Sequence, residues 1–84
     1  MAEERIGKVM DYFAKVGVAG ILLEGTLKVG DTIHIKGHTS DMTFTVDSMQ
    51  IDRVPVQEAG KDKTIGIKVS DRVRPGDAVF IVKP

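Results

Sequence analysis

Ile33 and Ile35 alternate with Thr32, His34 and Lys36, the two-residue period of a strand with one face in a core and the other in water. Residues 32–36 are therefore predicted as a strand whose isoleucines point inward. A turn cluster, Gly37-His38-Thr39-Ser40-Asp41, follows, after which Met42, Phe44 and Val46 alternate with Thr43, Thr45 and Asp47. Residues 32–47 read as a hairpin, and Met49 and Ile51 extend its second strand. Upstream, Arg5 to Tyr12 is predicted as a strand with Ile6, Lys8 and Met10 on one side and Gly7, Val9 and Asp11 on the other; the polar residues 1–4 are expected to be a flexible start. Val16 to Glu24 is a second apolar run, in which Gly17 and Gly20 argue against a helix and permit bends. Downstream, Asp52 to Gly60 contains Pro55 and reads as an edge crossing with one short extended piece. Ile65, Ile67 and Val69 then alternate with Thr64, Gly66 and Lys68, and Ala78 to Val82 forms the last strand, with Val79 and Ile81 inward. No segment has helical periodicity over a convincing length.

The turns between these runs repeat. Leu27-Lys28-Val29-Gly30-Asp31-Thr32-Ile33 and Val73-Arg74-Pro75-Gly76-Asp77-Ala78-Val79 each place Gly-Asp immediately before a strand. Glycine tolerates the positive φ of a sharp reversal, aspartate bonds nearby backbone, and Pro75 presets φ for its turn. Short strands at regular spacing, separated by Gly, Pro and Asp, predict an all-β fold, and closure into a barrel would remove sheet edges. The expectation is one domain over residues 1–84, a small all-β barrel, with a sandwich as the other arrangement this spacing allows.

Composition narrows the picture. With three Phe, one Tyr and no Trp, the core must be built from Val, Ile, Leu and Met. Absence of cysteine excludes a disulfide framework and a thiolate metal site. The start of the chain does not resemble a signal peptide, and apolar stretches such as Ile21-Leu22-Leu23 are far shorter than the roughly 20 residues of a membrane helix, so a cytoplasmic location is expected. Formal charge is balanced at 12 bases and 12 acids. The distribution is uneven: residues 1–60 hold six bases against nine acids, and residues 61–84 hold six bases against Asp62, Asp71 and Asp77. Such asymmetry can aim one face at RNA or an acidic partner, or can be solvated surface.

Gly25-Thr26-Leu27-Lys28-Val29-Gly30-Asp31-Thr32-Ile33, followed by Val46-Asp47-Ser48-Met49, Val56-Gln57-Glu58-Ala59-Gly60, Ile65-Gly66-Ile67 and Arg74-Pro75-Gly76-Asp77, resembles the second domain of translational GTPases such as elongation factor Tu. Through Ile6-Gly7-Lys8-Val9-Met10-Asp11-Tyr12, Val29-Gly30-Asp31 and Val73-Arg74-Pro75-Gly76-Asp77 the chain is also similar to the barrel at the C-terminus of collagenase-like peptidases. Either resemblance implies a six-stranded antiparallel Greek-key barrel. The translation-factor resemblance implies a module that touches tRNA or ribosomal RNA. Its aminoacyl pocket is not carried over, because the acidic pair of that pocket falls on Ile6 and Gly7 and its asparagine on Thr64.

Candidate chemistry is sparse. Gly60-Lys61 is followed by Asp62 and preceded at the relevant spacing by Pro55, so no phosphate-cradling loop exists and no nucleotide is expected. His34 and His38, near Asp31 and Asp41, hold the residue types of a zinc site but not its spacing, and are read as solvated. His38, Ser40 and Asp41 hold the types of a hydrolase triad within one turn, where no rigid frame orders them. No catalytic residue, metal or cofactor is assigned. Lys61, Lys63, Lys68, Arg72 and Arg74 are the candidate RNA contacts. Tyr12 and Phe13 face opposite ways in extended backbone, so one is expected at the surface, and with Leu22 they form a candidate apolar interaction surface. The sequence-level expectation is a stand-alone, non-enzymatic module that binds RNA or a ribonucleoprotein partner such as tRNA or the ribosome. The alternative is a protein-interaction adaptor acting in trans with a separate enzyme or GTPase.

Overall fold

Where Ile33 and Ile35 alternate with Thr32, His34 and Lys36, and Ile65 and Ile67 with Thr64, Gly66 and Lys68, the backbone is extended and the isoleucine face is buried. The computed structural model describes residues 2–38 and 40–83. It comprises ten strands: β1 (Ala2–Phe13), β2 (Val18–Leu23), β3 (Leu27–Lys28), β4 (Thr32–Lys36), β5 (Asp41–Thr45), β6 (Met49–Ile51), β7 (Val54–Val56), β8 (Glu58–Ala59), β9 (Thr64–Lys68) and β10 (Ala78–Lys83). No helix occurs among the described residues. β1, β2, β4, β5, β9 and β10 have five or more residues, and the other four are short links of two or three. Eight strands share one sheet in the order β5-β4-β10-β1-β2-β9-β6-β7, while β3 pairs with β8. Every pairing is antiparallel. The all-β expectation holds, in a barrel-like form whose seam is open: the outermost strands, β5 and β7, do not pair with each other.

The two Gly-Asp corners are the same device used twice. Gly30 and Gly76 have φ of 98° and 96°, the conformation required at the third position of a type II turn. Asp31 N–H donates to the Lys28 carbonyl (3.0 Å), and Lys28 N–H donates back to the Asp31 carboxylate (2.9 Å). Asp77 and Arg74 repeat this reciprocal pair at 3.1 and 3.0 Å. Each corner then clasps one valine of a neighbouring strand. Gly30 N–H donates to the Val46 carbonyl and Val46 N–H to the Asp31 carbonyl; Gly76 and Asp77 hold Val9 in the same way. Asp77 is 6% exposed, and its carboxylate lies against Gly37, where any side chain would overlap it.

The core is aliphatic. Ile21, Ile33, Ile35 and Val79 are fully buried, with Leu23, Leu27, Ile65, Ile67 and Met49 around them. Tyr12, Phe44 and Ile81 pack against this cluster only partly buried, so Ile81 is a weaker inward partner of Val79 than its alternation implies. Three further expectations change. Residues 2–4, expected to be flexible, are β-paired: Ala2, Glu3 and Glu4 oppose Lys83, Val82 and Ile81. The first strand does not keep strict alternation, because its register shifts between Arg5 and Gly7 against β10 and between Val9 and Asp11 against β2. These bulges bury Ile6, Gly7 and Val9 and leave Met10 42% exposed. Met49 and Ile51 belong not to the second strand of the 32–47 hairpin but to β6, which pairs with β7 and β9. Pro55 lies on β7 at the sheet's edge, where its missing N–H costs no ladder bond.

Candidate functional site

β5 is an edge strand, and its hydrogen-bond phase determines which backbone groups are free. Gly37 N–H donates to the Ser40 carbonyl and Val46 N–H to the Asp31 carbonyl, so Ser40 and Val46 face β4. Bonded and non-bonded positions alternate along an antiparallel strand, which turns the N–H and C=O of Asp41, Thr43 and Thr45 away from β4. The segment following β9 runs along this edge. It is pinned at Val69, whose N–H donates to the Gly17 carbonyl (2.9 Å), at Val73, which is 1% exposed, and at the Asp77 corner. Two clefts separate it from β5. One, of about 390 Å³, is lined by Phe44, Thr45, Asp47, Ser48, Lys68 and Val69 among others; the second, of about 350 Å³, by Ser40, Asp41, Met42, Asp71, Arg72 and Arg74. Inward Met42 and Phe44 and outward Asp41 and Thr45 all contribute, so the clefts follow the strand's edge and not one face.

A second constellation lies on the outer surface. His34, with a side chain 14% exposed, sits between two carboxylates: Nδ1–H donates to Glu3 (3.0 Å) and Nε2–H to Asp41 (2.5 Å), and its ring tilts against Phe80 at 6.2 Å. Both nitrogens carry protons in this arrangement, so the imidazolium form is favoured. The hydrogen bond to Asp41 is the main cause raising the His34 pKa above 6.5, opposed by desolvation and aided by Glu3. The nitrogens point in opposite directions and cannot converge on one ion. The arrangement ties β1, β4 and β5 together and replaces the expected solvated histidine. A raised folded-state pKa contributes stability that is complete below 6.5 and lost as pH rises through the folded value. Thermal unfolding is expected to show lower stability at about pH 8 than at about pH 5, by less than about 1 kcal/mol per pair because the Glu3 and Asp41 side chains are 42% and 76% exposed to water. His34→Gln should flatten that profile; an unchanged slope would show that the pairs contribute nothing.

The sequence-derived candidates do not form one surface. Lys68, Arg72 and Arg74 are exposed along the β5 seam, whereas Lys61 and Lys63 lie at the other end of β9, where the Lys63 carbonyl accepts from Leu23 N–H. Five residues of strand separate Lys63 from Lys68, about 17 Å. Tyr12 is partly buried against the core and Phe13 is 54% exposed, the expected opposition. Leu22 is opposite Lys8, four residues along β2 from Val18, which is opposite Phe13, a separation of about 13 Å. Phe13 instead lies close in sequence to Val16, 60% exposed in the turn that joins β1 to β2. His38, Ser40 and Asp41 make no triad: Asp41 bonds His34, and buried Ser40 Oγ has no partner among the described residues. Sequence reasoning missed Glu3, because nothing local connects it to a histidine 31 positions away. It also missed the β5 edge, because alternation identifies a strand but not its neighbours.

The fold and this edge define an antiparallel barrel domain similar in structure to the C-terminal domain of a Geobacillus thermoleovorans protein described as a U32 peptidase. The TM-score is 0.89 at 18% identity, covering 95% of this chain and 93% of that domain. A selenomethionine variant of the same domain gives 0.86 at 19% identity. At such identities the likeness shows the fold alone. In sequence the chain is 43% identical over 79 residues to an uncharacterized protease of Methanocaldococcus jannaschii, covering 93% of this chain and 19% of that protein. It is 35% identical over 77 residues to a collagenase of Porphyromonas gingivalis, covering 89% of this chain and 21% of the collagenase. The chain thus spans about one fifth of the length of the curated relatives it matches. No family model matches it.

These relatives bear out the similarity to collagenase-like proteins and overturn the translation-factor reading. The expectation of a non-enzymatic module binding RNA or a ribonucleoprotein, with an adaptor acting in trans as its alternative, is corrected: the relatives this chain resembles are named protease and collagenase, and the similar domain belongs to a peptidase. The physical reason is that Gly-Asp corners and strand spacings are what a barrel of this connectivity needs. They report the frame, and function lies in what is grafted on it. No helix among the described residues is long and apolar enough to cross a membrane.

Proposed function

We propose that this chain is the barrel domain of a U32-type peptidase and serves that enzyme by holding polypeptide. The observation that carries the reading is the 43% identity to the M. jannaschii protease across 93% of the chain. The position of the similar G. thermoleovorans domain at the C-terminus of its peptidase supports it. An antiparallel barrel-like sheet whose β5 edge is open suits the role, because an extended polypeptide offers the same backbone groups that a free edge leaves unpaired.

The test is a graft. The matching segment of the P. gingivalis collagenase is replaced by this chain, and collagen cleavage is compared with the parent enzyme and with a version lacking the segment. The graft is expected to retain most of the parent's activity while the deletion loses at least about tenfold, the cost of uncoupling a holding site from a cleavage site. A folded graft no more active than the deletion would overturn the proposal.

A further inference from the structure

We infer that the seam between β5 and the Lys68–Arg74 segment is a site for an extended, acidic polypeptide segment, which enters as an added strand along β5. The inference rests on the protease-associated reading and names the class of polypeptide held. Three observations carry it. The first is the hydrogen-bond phase of β5, which leaves the backbone of Asp41, Thr43 and Thr45 facing the seam; no backbone bond beyond the β4 ladder reaches Thr43 or Thr45 among the described residues. The second is space: the clefts of about 390 and 350 Å³ lie end to end along this edge, the larger offering Phe44 and Val69 to an apolar side chain.

The third is charge. Lys68, Arg72 and Arg74 reach the seam from the far bank, and none has a carboxylate within ion-pair distance among the described residues. Asp47 and Asp71 also line the clefts, but Asp41 is engaged by His34. Unpaired cations on a pinned segment favour an occupant with carboxylates at alternate positions, since alternate side chains of an added strand share a face. The opposite edge of the sheet is less suited, because β7 spans three residues and contains Pro55, which has no N–H to donate.

The test is a titration of the ¹⁵N-labelled chain with an acetylated, amidated octapeptide that alternates valine and glutamate, beside the same peptide with lysine for glutamate. The glutamate peptide is expected to shift the amides of Thr43 and Thr45 and slow their hydrogen exchange. The lysine peptide should bind at least about tenfold more weakly, because it sets like charges against one another. Thr43→Pro removes an N–H that faces the seam and spares the β4 ladder, so binding should be lost while amide dispersion survives. Methylating alternate amides of the peptide should abolish binding with the protein unchanged, which keeps the test informative if Thr43→Pro unfolds.

Shifts confined to other strands, equal binding of both peptides, full binding by the methylated peptide, or concentration-dependent shifts at Thr43 and Thr45 without peptide, the mark of pairing between two copies, would each overturn the inference. A failed titration with an active collagenase graft overturns the seam and leaves the protease-associated role. A positive titration with an inactive graft does the reverse.

Discussion

Ile35→Asp is expected to yield a chain with no cooperative unfolding transition. Ile35 is fully buried and paired across strands with Val79 and Met42. The substitution removes an apolar side chain whose burial contributes about 1.5–3 kcal/mol. It also places a carboxyl in a core built of aliphatic side chains, where the cost is several kcal/mol more. Stability of roughly 0.05–0.15 kcal/mol per residue gives a chain of this length about 4–13 kcal/mol in total, so the substitution consumes most or all of it. Circular dichroism through a thermal ramp is the measurement. Ile35→Val, which deletes one methylene and adds no charge, should cost only about 1 kcal/mol and lower Tm by about 4–8 °C. A cooperative transition in Ile35→Asp would mean that this strand face is not in the core.

Gly7→Ala is the second large effect. A Cβ on Gly7 would stand 2.6 Å from the backbone oxygen of Leu22 and 3.2 Å from Ile21 Cγ2. The first contact is with backbone held in the β1–β2 ladder, where Gly7 opposes Leu23 and Lys8 opposes Leu22, so it cannot be relieved by a rotamer change. The strands must separate locally, with overpacking at about 1–3 kcal/mol and about 1 kcal/mol for each weakened bond. A fall in Tm of more than about 10 °C is expected. Gly20→Ala on the neighbouring strand is the internal comparison: its Cβ meets Asp11 Cβ at 3.5 Å, ordinary contact, and alanine relieves the entropic cost of glycine in a strand, about 0.5–1 kcal/mol. Equal effects at the two positions would show that the close approach at Gly7 relaxes.

Gly7 also lies at a place where strict alternation misjudged the strand. Ile6 and Gly7 are both buried, against any strict two-residue period, because a bulge at this point lets successive residues face inward. A bulge is a property of a pair of strands, and β10 begins more than 70 positions after Ile6. No window around residues 5–12 contains it.

The amino-acid sequence by itself determined what depends on residues a few positions apart. β4, β5, β9 and β10 follow from alternation of branched aliphatics with polar residues. The two corners follow from glycine at positive φ beside an aspartate that bonds the turn's first N–H, and the aliphatic core from near absence of aromatics. Tertiary structure alone decided which strands became neighbours, and with that the register shifts in β1, the pairing of β6 with β9, the meeting of Glu3, His34 and Asp41, and the strand left with an open edge. Periodicity states which face of a strand is apolar but is silent about its edges, because every residue carries the same N–H and C=O. The edge is where the proposed polypeptide contact lies, so the scaffold could be read locally and the site could not.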